Sequence, residues 1–328
     1  MDTERKKSVF VLGDIVLDCY AECHNQFSNN EEIQKLIIQK KKYLPGNAAN
    51  VANNLSALGV DVYLFGVTGE DMYGDLLQQG LDPAIHKHII KNPSVLTPLK
   101  SRFISKEKTV IRIDEEVYAP LLLEEEAHLL NLFVSLRSKI GYLVISDLNK
   151  GTYSDALLKS IIKDAIDHNI QVFIDPSAKR NLSVYTNATV ISPNLEEFNA
   201  LTDTNAPSLQ EALLEAKETL KTHKFTYLLL KGDASGSILV SEHGSYHLPG
   251  LTKRMVSSIG AGDSFLAAFI ASMIQSSNLF KSFVMANVAA SISVSKKYTS
   301  TVTKSEIHHF LHELKAGGDN YGSIQRES

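Results

Sequence analysis

Ile259-Gly260-Ala261-Gly262-Asp263-Ser264-Phe265 joins a glycine-paired turn, a carboxylate and the start of an apolar helix carrying Phe265, Leu266, Phe269, Ile270 and Met273. Glycines at 260 and 262 let backbone N–H groups crowd together without Cβ obstruction. The helix start behind them carries unpaired donors and the positive end of a dipole. Such a turn is an anion cradle, and Asp263 stands where a base beside a transferring phosphate is needed. Gly-x-Gly-Asp turns also simply cap helices, so the rest of the chain has to decide between the two.

Outward from this turn the pattern alternates. Ser8–Leu12 is a β-branched and aromatic run ending at Gly13, as expected of a buried strand. Helix-like Ala48–Leu58 precedes strand-like Val60–Val67, Glu124–Ser138 precedes Tyr142–Ser146, and Tyr153–His168 precedes Val172–Asp175. Thr189–Ser192, Leu209–Leu220, Tyr227–Lys231 and Ser237–Val240 follow, then two helical runs, Asp263–Gln275 and Lys281–Ser295. Apolar strands separated by amphipathic helices predict an α/β fold with a central, mostly parallel sheet covered on both faces. No repeat or low-complexity stretch interrupts it, so residues 1–328 read as one domain.

Two segments break the rhythm, Ile33–Leu44 and Leu99–Asp114. The second reads as a β-hairpin around Lys106-Glu107-Lys108, and a three-residue loop would face Ser105 with Thr109 and Arg102 with Arg112. Like charges directly opposed on a sheet are destabilising unless an anion lies between them. Two solvated arginines on an exposed ribbon are the alternative. Segments near 15–44 and 97–116 are therefore expected to form a small β-lid over a site.

A formal net charge of −4 with both signs interspersed leaves no electrostatic footprint for nucleic acid or an anionic membrane. No apolar run approaches the roughly 18 residues that span a bilayer. Met1–Lys7 is charged and unlike a signal peptide, and Cys19 and Cys23 lack partners at zinc spacing. The expectation is a cytoplasmic protein with reduced thiols.

Four more clusters suggest phosphoryl chemistry. Asp14 and Asp18 follow the first strand, at the edge where open α/β sheets bind ligands, and suit sugar hydroxyls; Asp is also a turn former. Pro45-Gly46-Asn47-Ala48-Ala49-Asn50 is a tight turn into a helix of small residues, in which Asn47 and Asn50 offer amides to a polar ligand or act as caps. Asn194 and Glu197, three apart at a helix start, would hold a hydrated Mg²⁺ near phosphates or form a capping box. Lys231-Gly232-Asp233-Ala234-Ser235-Gly236 is a second glycine-paired turn, suited to the rim of a nucleotide pocket. There is no Walker A motif and no Gly-x-Gly-x-x-Gly after the first strand.

Gly13–Asp18, Pro45–Asn50, Thr68-Gly69-Glu70-Asp71 with Gly74, Pro193–Glu197 and Gly260–Asp263 occur in the order and approximate spacing of the ribokinase-like (PfkB-type) sugar kinases, which the chain resembles over nearly its whole length. Within that family Pro45–Leu58, Lys100–Asp114, Ser146–Gly151 and Ala286–Ser295 are most similar to kinases of heptose 7-phosphate from bacterial ADP-heptose synthesis. The resemblance implies an ATP- and Mg²⁺-dependent kinase with Asp263 as base and the N–H groups of Gly260, Ala261 and Gly262 as the anion hole. It implies sugar contacts at Asp18, Gly46 and Asn50, and Asn194 and Glu197 organising Mg²⁺ through water. Gly232–Gly236 and Asn287 would lie near adenine and ribose. Lys100, Arg102 and Arg112 would take the phosphate already on the sugar. The resemblance also suggests a homodimer through the lid strands.

Departures exist. Ser257-Ser258-Ile259 stands where the family has Asp-x-Thr, which removes the residue associated with a monovalent-cation site, so K⁺ activation is in doubt. Asn47 replaces a glycine, Asp175-Pro176-Ser177 replaces Asp-Pro-Lys, and Phe27–Glu32 lacks the prolines of the heptose kinases. The nucleotidyltransferase domain often fused to those kinases is not expected in this chain. The rival readings are a kinase of another sugar or nucleoside, and a sugar-phosphate sensor without turnover. A carboxylate at a helix N-terminus is expected to stay ionised.

Overall fold

The Val-Phe-Val-Leu run forms β1 (Ser8–Gly13) at the centre of the computed structural model, which describes residues 7–28, 33–251, 255–316 and 325–327. Residues 1–6 and 29–32, and with them most of the N-terminal and Phe27–Glu32 expectations, lie outside the described residues. Two long strands follow, β2 (Ile15–Ser28) and β3 (Ile33–Asn47), then α1 (Ala48–Ala57), β4 (Val62–Gly69), α2 (Met72–Gln79) and β5 (His86–Asn92). The lid hairpin is β6 (Leu96–Ser105) and β7 (Lys108–Val117). Beyond it come α3 (Leu123–Leu136), β8 (Ile140–Ser146), α4 (Asp155–Asp167), β9 (Gln171–Asp175), β10 (Val190–Ile191), α5 (Leu195–Thr202) and α6 (Leu209–Thr222). The last third holds β11 (Tyr227–Lys231), β12 (Ser237–Ser241), β13 (Gly244–Leu248), α7 (Ala261–Ser276), α8 (Leu279–Val294), α9 (Lys304–Ala316) and β14 (Gln325–Glu327).

The body is a 10-stranded sheet in the order β14-β13-β12-β11-β10-β9-β8-β1-β4-β5, parallel from β11 to β5 and antiparallel beyond β11. Alternation along β1 assigns the two faces. Phe10 and Leu12 pack with Phe133, Leu158 and Ile161 from α3 and α4, whereas Val9 and Val11 pack with Val51, Leu266 and Phe269 from α1 and α7. All four β1 side chains are fully buried, as a sheet covered on both faces requires. The sequence pattern does not announce α2, β5, β13 or α9, which are short or rich in polar residues. Among the described residues, no helix is long and apolar enough to cross a membrane.

The lid is a separate four-stranded sheet, β3-β2-β6-β7. Its hairpin turns on two residues rather than three: Lys106 and Glu107 both have positive φ (49° and 64°), the geometry of a type I′ connection. Ser105 therefore pairs with Lys108, not Thr109. A bulge at Val110 then shifts the register by one, and Arg102 still faces Arg112. Alternation puts Arg112, Asp114 and Glu116 on one face of β7. The other carries Ile111, Ile113 and Val117, all nearly half exposed.

Candidate active site

Gly260 precedes α7 in the left-handed region (φ 78°), and no side chain caps that helix. Of the N–H groups expected to form the anion hole, that of Ala261 donates to Ser258 O at 3.2 Å, whereas those of Gly262 and, next to it, Asp263 have no intrahelical carbonyl to reach. A Cβ at 260 would lie 2.9 Å from the Asn50 amide nitrogen. That amide donates to Asp263 Oδ2 at 2.7 Å, so α1 and α7 jointly fix the carboxylate. Burial, then the nearby Asp175 charge, push Asp263 up to about 7, against the pull of Asn50 and Lys231. The expectation that Asp263 stays ionised at the helix N-terminus is corrected: burial pushes its carboxyl up to where both forms are populated near neutrality. A carboxylate balanced near neutrality is well matched to accepting a proton at physiological pH.

Asp263 shares a cavity of about 180 Å³ with Asp18, Gly46, Asn47, Lys100 and Arg102. Asp18 Oδ1 accepts from Arg102 at 2.6 Å and Oδ2 from Thr299 at 2.8 Å. A Cβ on Gly46 would stand 2.6 Å from Asp18 Oδ2, so a larger residue would displace that carboxylate. Asn47 occupies the N-cap position of α1 at φ 53°, but its side chain donates to the Asp14 carbonyl at 2.8 Å instead of capping. Asp14 does not line this cavity. Its buried carboxylate accepts from the Leu148 N–H at 2.8 Å and, mainly by desolvation, is raised to about 6. The two aspartates of the first motif therefore part ways: Asp14 braces the loop after β8, and Asp18 faces the site.

On the lid, the opposed Arg102 and Arg112 each hold a protein carboxylate. Arg102 is buried against Asp18 and lies over the Tyr20 ring, while Arg112 is paired with Asp114 at 2.6 Å and 2.8 Å. Lys100 faces the same side; burial and Arg112 lower its pKa. Lys150, from the loop after β8, pairs with Glu116 and lies over Tyr118.

Across the cavity, Asn194 and Glu197 form a reciprocal capping box at the start of α5, each bond 2.8 Å. The box uses Asn194 Oδ1 and Glu197 Oε2. The Glu197 carboxyl, raised mainly by burial, also faces Lys231 and Asp175. Lys231 Nζ lies 3.0 Å from Asp175 Oδ1. The Gly232–Gly236 turn is closed on itself, with Gly232 N–H donating to Gly236 O and Gly236 N–H to Asp233 O. Asn287 is buried beside it. Its Oδ1 accepts from Ser237 and its Nδ2 donates to Phe283, so the amide ties α8 to β12. Ser257 Oγ accepts the Ile259 N–H at 3.3 Å, and the Val256 and Ser257 N–H groups both bond Val294 O.

Several residues enter only with the fold. Asp175 ends β9 beside Lys231. Thr299, after α8, bonds Asp18 and accepts or donates at 2.6 Å to Tyr20 OH. Alternate residues of β2, namely Asp18, Tyr20 and Glu22, all reach the 297–299 stretch, Glu22 through Lys297 and Tyr298. Under the site, Asp147 accepts from Arg180 and from Tyr185 at 2.6 Å, both side chains of the ion pair being almost fully buried. A carboxylate closing a parallel strand was a readable signal for Asp175; nothing local marks Thr299.

The profile of the pfkB family carbohydrate kinases matches residues 6–306. The bifunctional protein HldE of Azorhizobium caulinodans is 30% identical over 312 residues, covering 94% of this chain and 65% of that protein. HldE of Trichlorobacter lovleyi is 33% identical over 307 residues, covering 90% and 61%. The chain thus spans somewhat under two thirds of the length of these relatives. Among solved structures, phosphofructokinase-2 from Escherichia coli in complex with potassium superposes with a TM-score of 0.78 at 18% identity, covering 94% of this chain and 99% of that one. Arabidopsis thaliana ribokinase complexed with ribose and ATP gives 0.73 at 17%, covering 93% and 98%. At such identities the superpositions speak for the fold alone.

Proposed function

The chain belongs to the pfkB family of carbohydrate kinases, and we propose that it transfers the terminal phosphoryl group of ATP to a hydroxyl of a sugar phosphate. The acceptor we favour is D-glycero-β-D-manno-heptose 7-phosphate at its anomeric hydroxyl, giving the 1,7-bisphosphate. The supporting observation is the shared cavity: a near-neutral carboxylate, Asp263, at an uncapped helix start, facing the cationic lid residues Lys100 and Arg102. The heptose assignment rests on the four stretches similar to heptose kinases.

In this reading Asp18, Gly46 and Asn50 shape the sugar site, with Asn50 holding Asp263 toward it. Asp263 takes the hydroxyl proton as the acceptor oxygen attacks, and the N–H groups of Gly262 and Asp263 offset charge on the phosphoryl oxygens. The lid excludes water, the competing acceptor. Lys100, Arg102 and Arg112 hold the phosphate already present. Gly232–Gly236 borders the nucleotide, with Asn287 fixing that border from behind. Among the described residues no three acidic, His or Cys side chains converge as a metal cage. Mg²⁺, bound to ATP, would therefore meet Asn194 and Glu197 through water and supply charge neutralisation. Ser257, where the family has Asp, argues against a K⁺ requirement. The exposed Ile111, Ile113 and Val117 face of the lid suits a second copy of the chain, giving a dimer through the lid. The reading takes residues 1–328 as one kinase domain.

A neutral sugar is the rival acceptor, favoured by one observation: Arg102 and Arg112 already hold Asp18 and Asp114. ADP release across a panel of sugars and sugar phosphates separates the two, with Asp263→Asn as control. Turnover of heptose 7-phosphate is expected; turnover of unphosphorylated sugars alone would overturn the assignment. Arg112→Ala should raise KM for the phosphorylated acceptor and spare a neutral one. It is a cleaner probe than Arg102→Ala, which would also strip buried Asp18 of its partner.

A further inference from the structure

Lys231 closes β11, and the sequence places it at the rim of the nucleotide pocket. The structure turns it inward. Asp175 and Lys231 end β9 and β11, the two strands flanking β10, so both stand at the carboxyl edge of the sheet. The ammonium lies 3.0 Å from Asp175 Oδ1, and its side chain is only 15% exposed. A Cβ placed on Gly262 would come within 3.3 Å of Nζ. The charge therefore sits against the first turn of α7, beside the N–H donors and within electrostatic reach of Asp263 and Glu197. A lysine serving only the outer phosphates would have no reason to touch that turn.

We propose that Lys231 is a catalytic residue: its ammonium contacts the phosphoryl group in transit from beside the first turn of α7, with Asp175 as the positioning residue that holds it there. The proposal deepens the kinase reading and rests on it. As the acceptor oxygen bonds to the γ-phosphorus, the bond from that phosphorus to the β–γ bridging oxygen breaks and its electron pair stays with ADP. The acceptor's proton goes to Asp263. Lys231 keeps its proton throughout and offsets charge on the equatorial oxygens, together with the α7 N–H groups beside it.

The competing role is a counter-ion for buried Asp263 and the partly buried Asp175 and Glu197, with no part in turnover. Removing the lysine alone would leave those carboxylates uncompensated and could unfold the chain. The decisive variant is therefore Lys231→Met combined with Asp175→Asn, which removes the pair together, compared with Asp175→Asn and Lys231→Arg. Its melting temperature establishes folding. Calorimetry then measures ADP·Mg²⁺ binding with and without aluminium fluoride, in the presence of the acceptor that wild type phosphorylates. The double variant is expected to bind ADP·Mg²⁺ as wild type does, to lose the tightening conferred by aluminium fluoride, and to lose about a hundredfold or more in kcat. Lys231→Arg, which keeps the charge but not its placement, and Asp175→Asn, which keeps the charge but not its anchor, should each lose part of kcat and less than the double variant. A double variant with wild-type kcat or an intact aluminium fluoride response would overturn the proposal. So would Asp175→Asn alone failing as badly as the double variant. Failure of the kinase reading shows separately, as a wild-type protein that phosphorylates no sugar or sugar phosphate.

Discussion

Gly260–Asp263 and Gly232–Gly236 look alike in the sequence, each a glycine pair with an aspartate, but they are opposites in space. The second folds its N–H groups back onto its own carbonyls and passes into β12. The first runs straight into the 16-residue α7 and leaves its leading donors unclaimed by the helix. Paired glycines allow a tight turn; the element that follows decides whether the turn can receive an anion. Gly236 sits at φ 90°, and a Cβ there would also lie 2.0 Å from the Leu248 carbonyl, so backbone conformation and packing within the body both require glycine.

The largest effect that sharpens this contrast is Asp263→Asn. We expect kcat to fall by about 10³-fold, within the range of a lost general base, while wild-type kcat rises with pH through about 7. The same variant should melt higher than wild type at pH 8 and no differently near pH 3. The sign follows from a folded-state pKa raised above 3.8: both states are protonated at low pH, stability is lost as pH climbs from about 3.8 to about 7 while only the unfolded chain ionises, and the full cost is present above that. A melting temperature unchanged at pH 8 would remove desolvation as the cause. Next comes Gly236→Ala, which should cost about 1–3 kcal/mol or more in denaturant titration, because positive φ and a backbone clash coincide there. An unaffected midpoint would show that the closed turn yields freely. The smallest is Gly262→Ala. Its φ is ordinary, and the new methyl asks Lys231 to move by a few tenths of an ångström. A kcat loss of up to about tenfold at unchanged stability is expected from such a misplacement.

The open turn, the alternation of strands and helices and the lid hairpin were legible because each is a local pattern. Even there, the Arg102–Arg112 pairing was reached through two departures that cancel, a shorter turn and a bulge. What was not legible depends on direction across the fold. Asp14 and Asp18 are equally plausible ligands on paper, and only the placement of the loop after β8 turns Asp14 away. Of the two readings left open for Asn194 and Glu197, the capping box is formed, and no local spacing shows that Glu197 there also faces Lys231. Thr299 lies 281 residues from Asp18, and no spacing rule joins residues across such a separation.

The ladder from β2 to residues 297–299 has a thermodynamic consequence. The Thr299 methyl stands 3.3 Å from where a Cβ of Gly260 would be, and its hydroxyl bonds Asp18 of the lid. Thr299 therefore stands between the lid and the Gly260 turn. If the chain is the proposed kinase, binding of acceptor and of ADP is expected to be linked, each changing the other's affinity by the same factor. ADP titrated by calorimetry with and without the acceptor sugar measures that factor; a value of one would mean that the ladder transmits nothing.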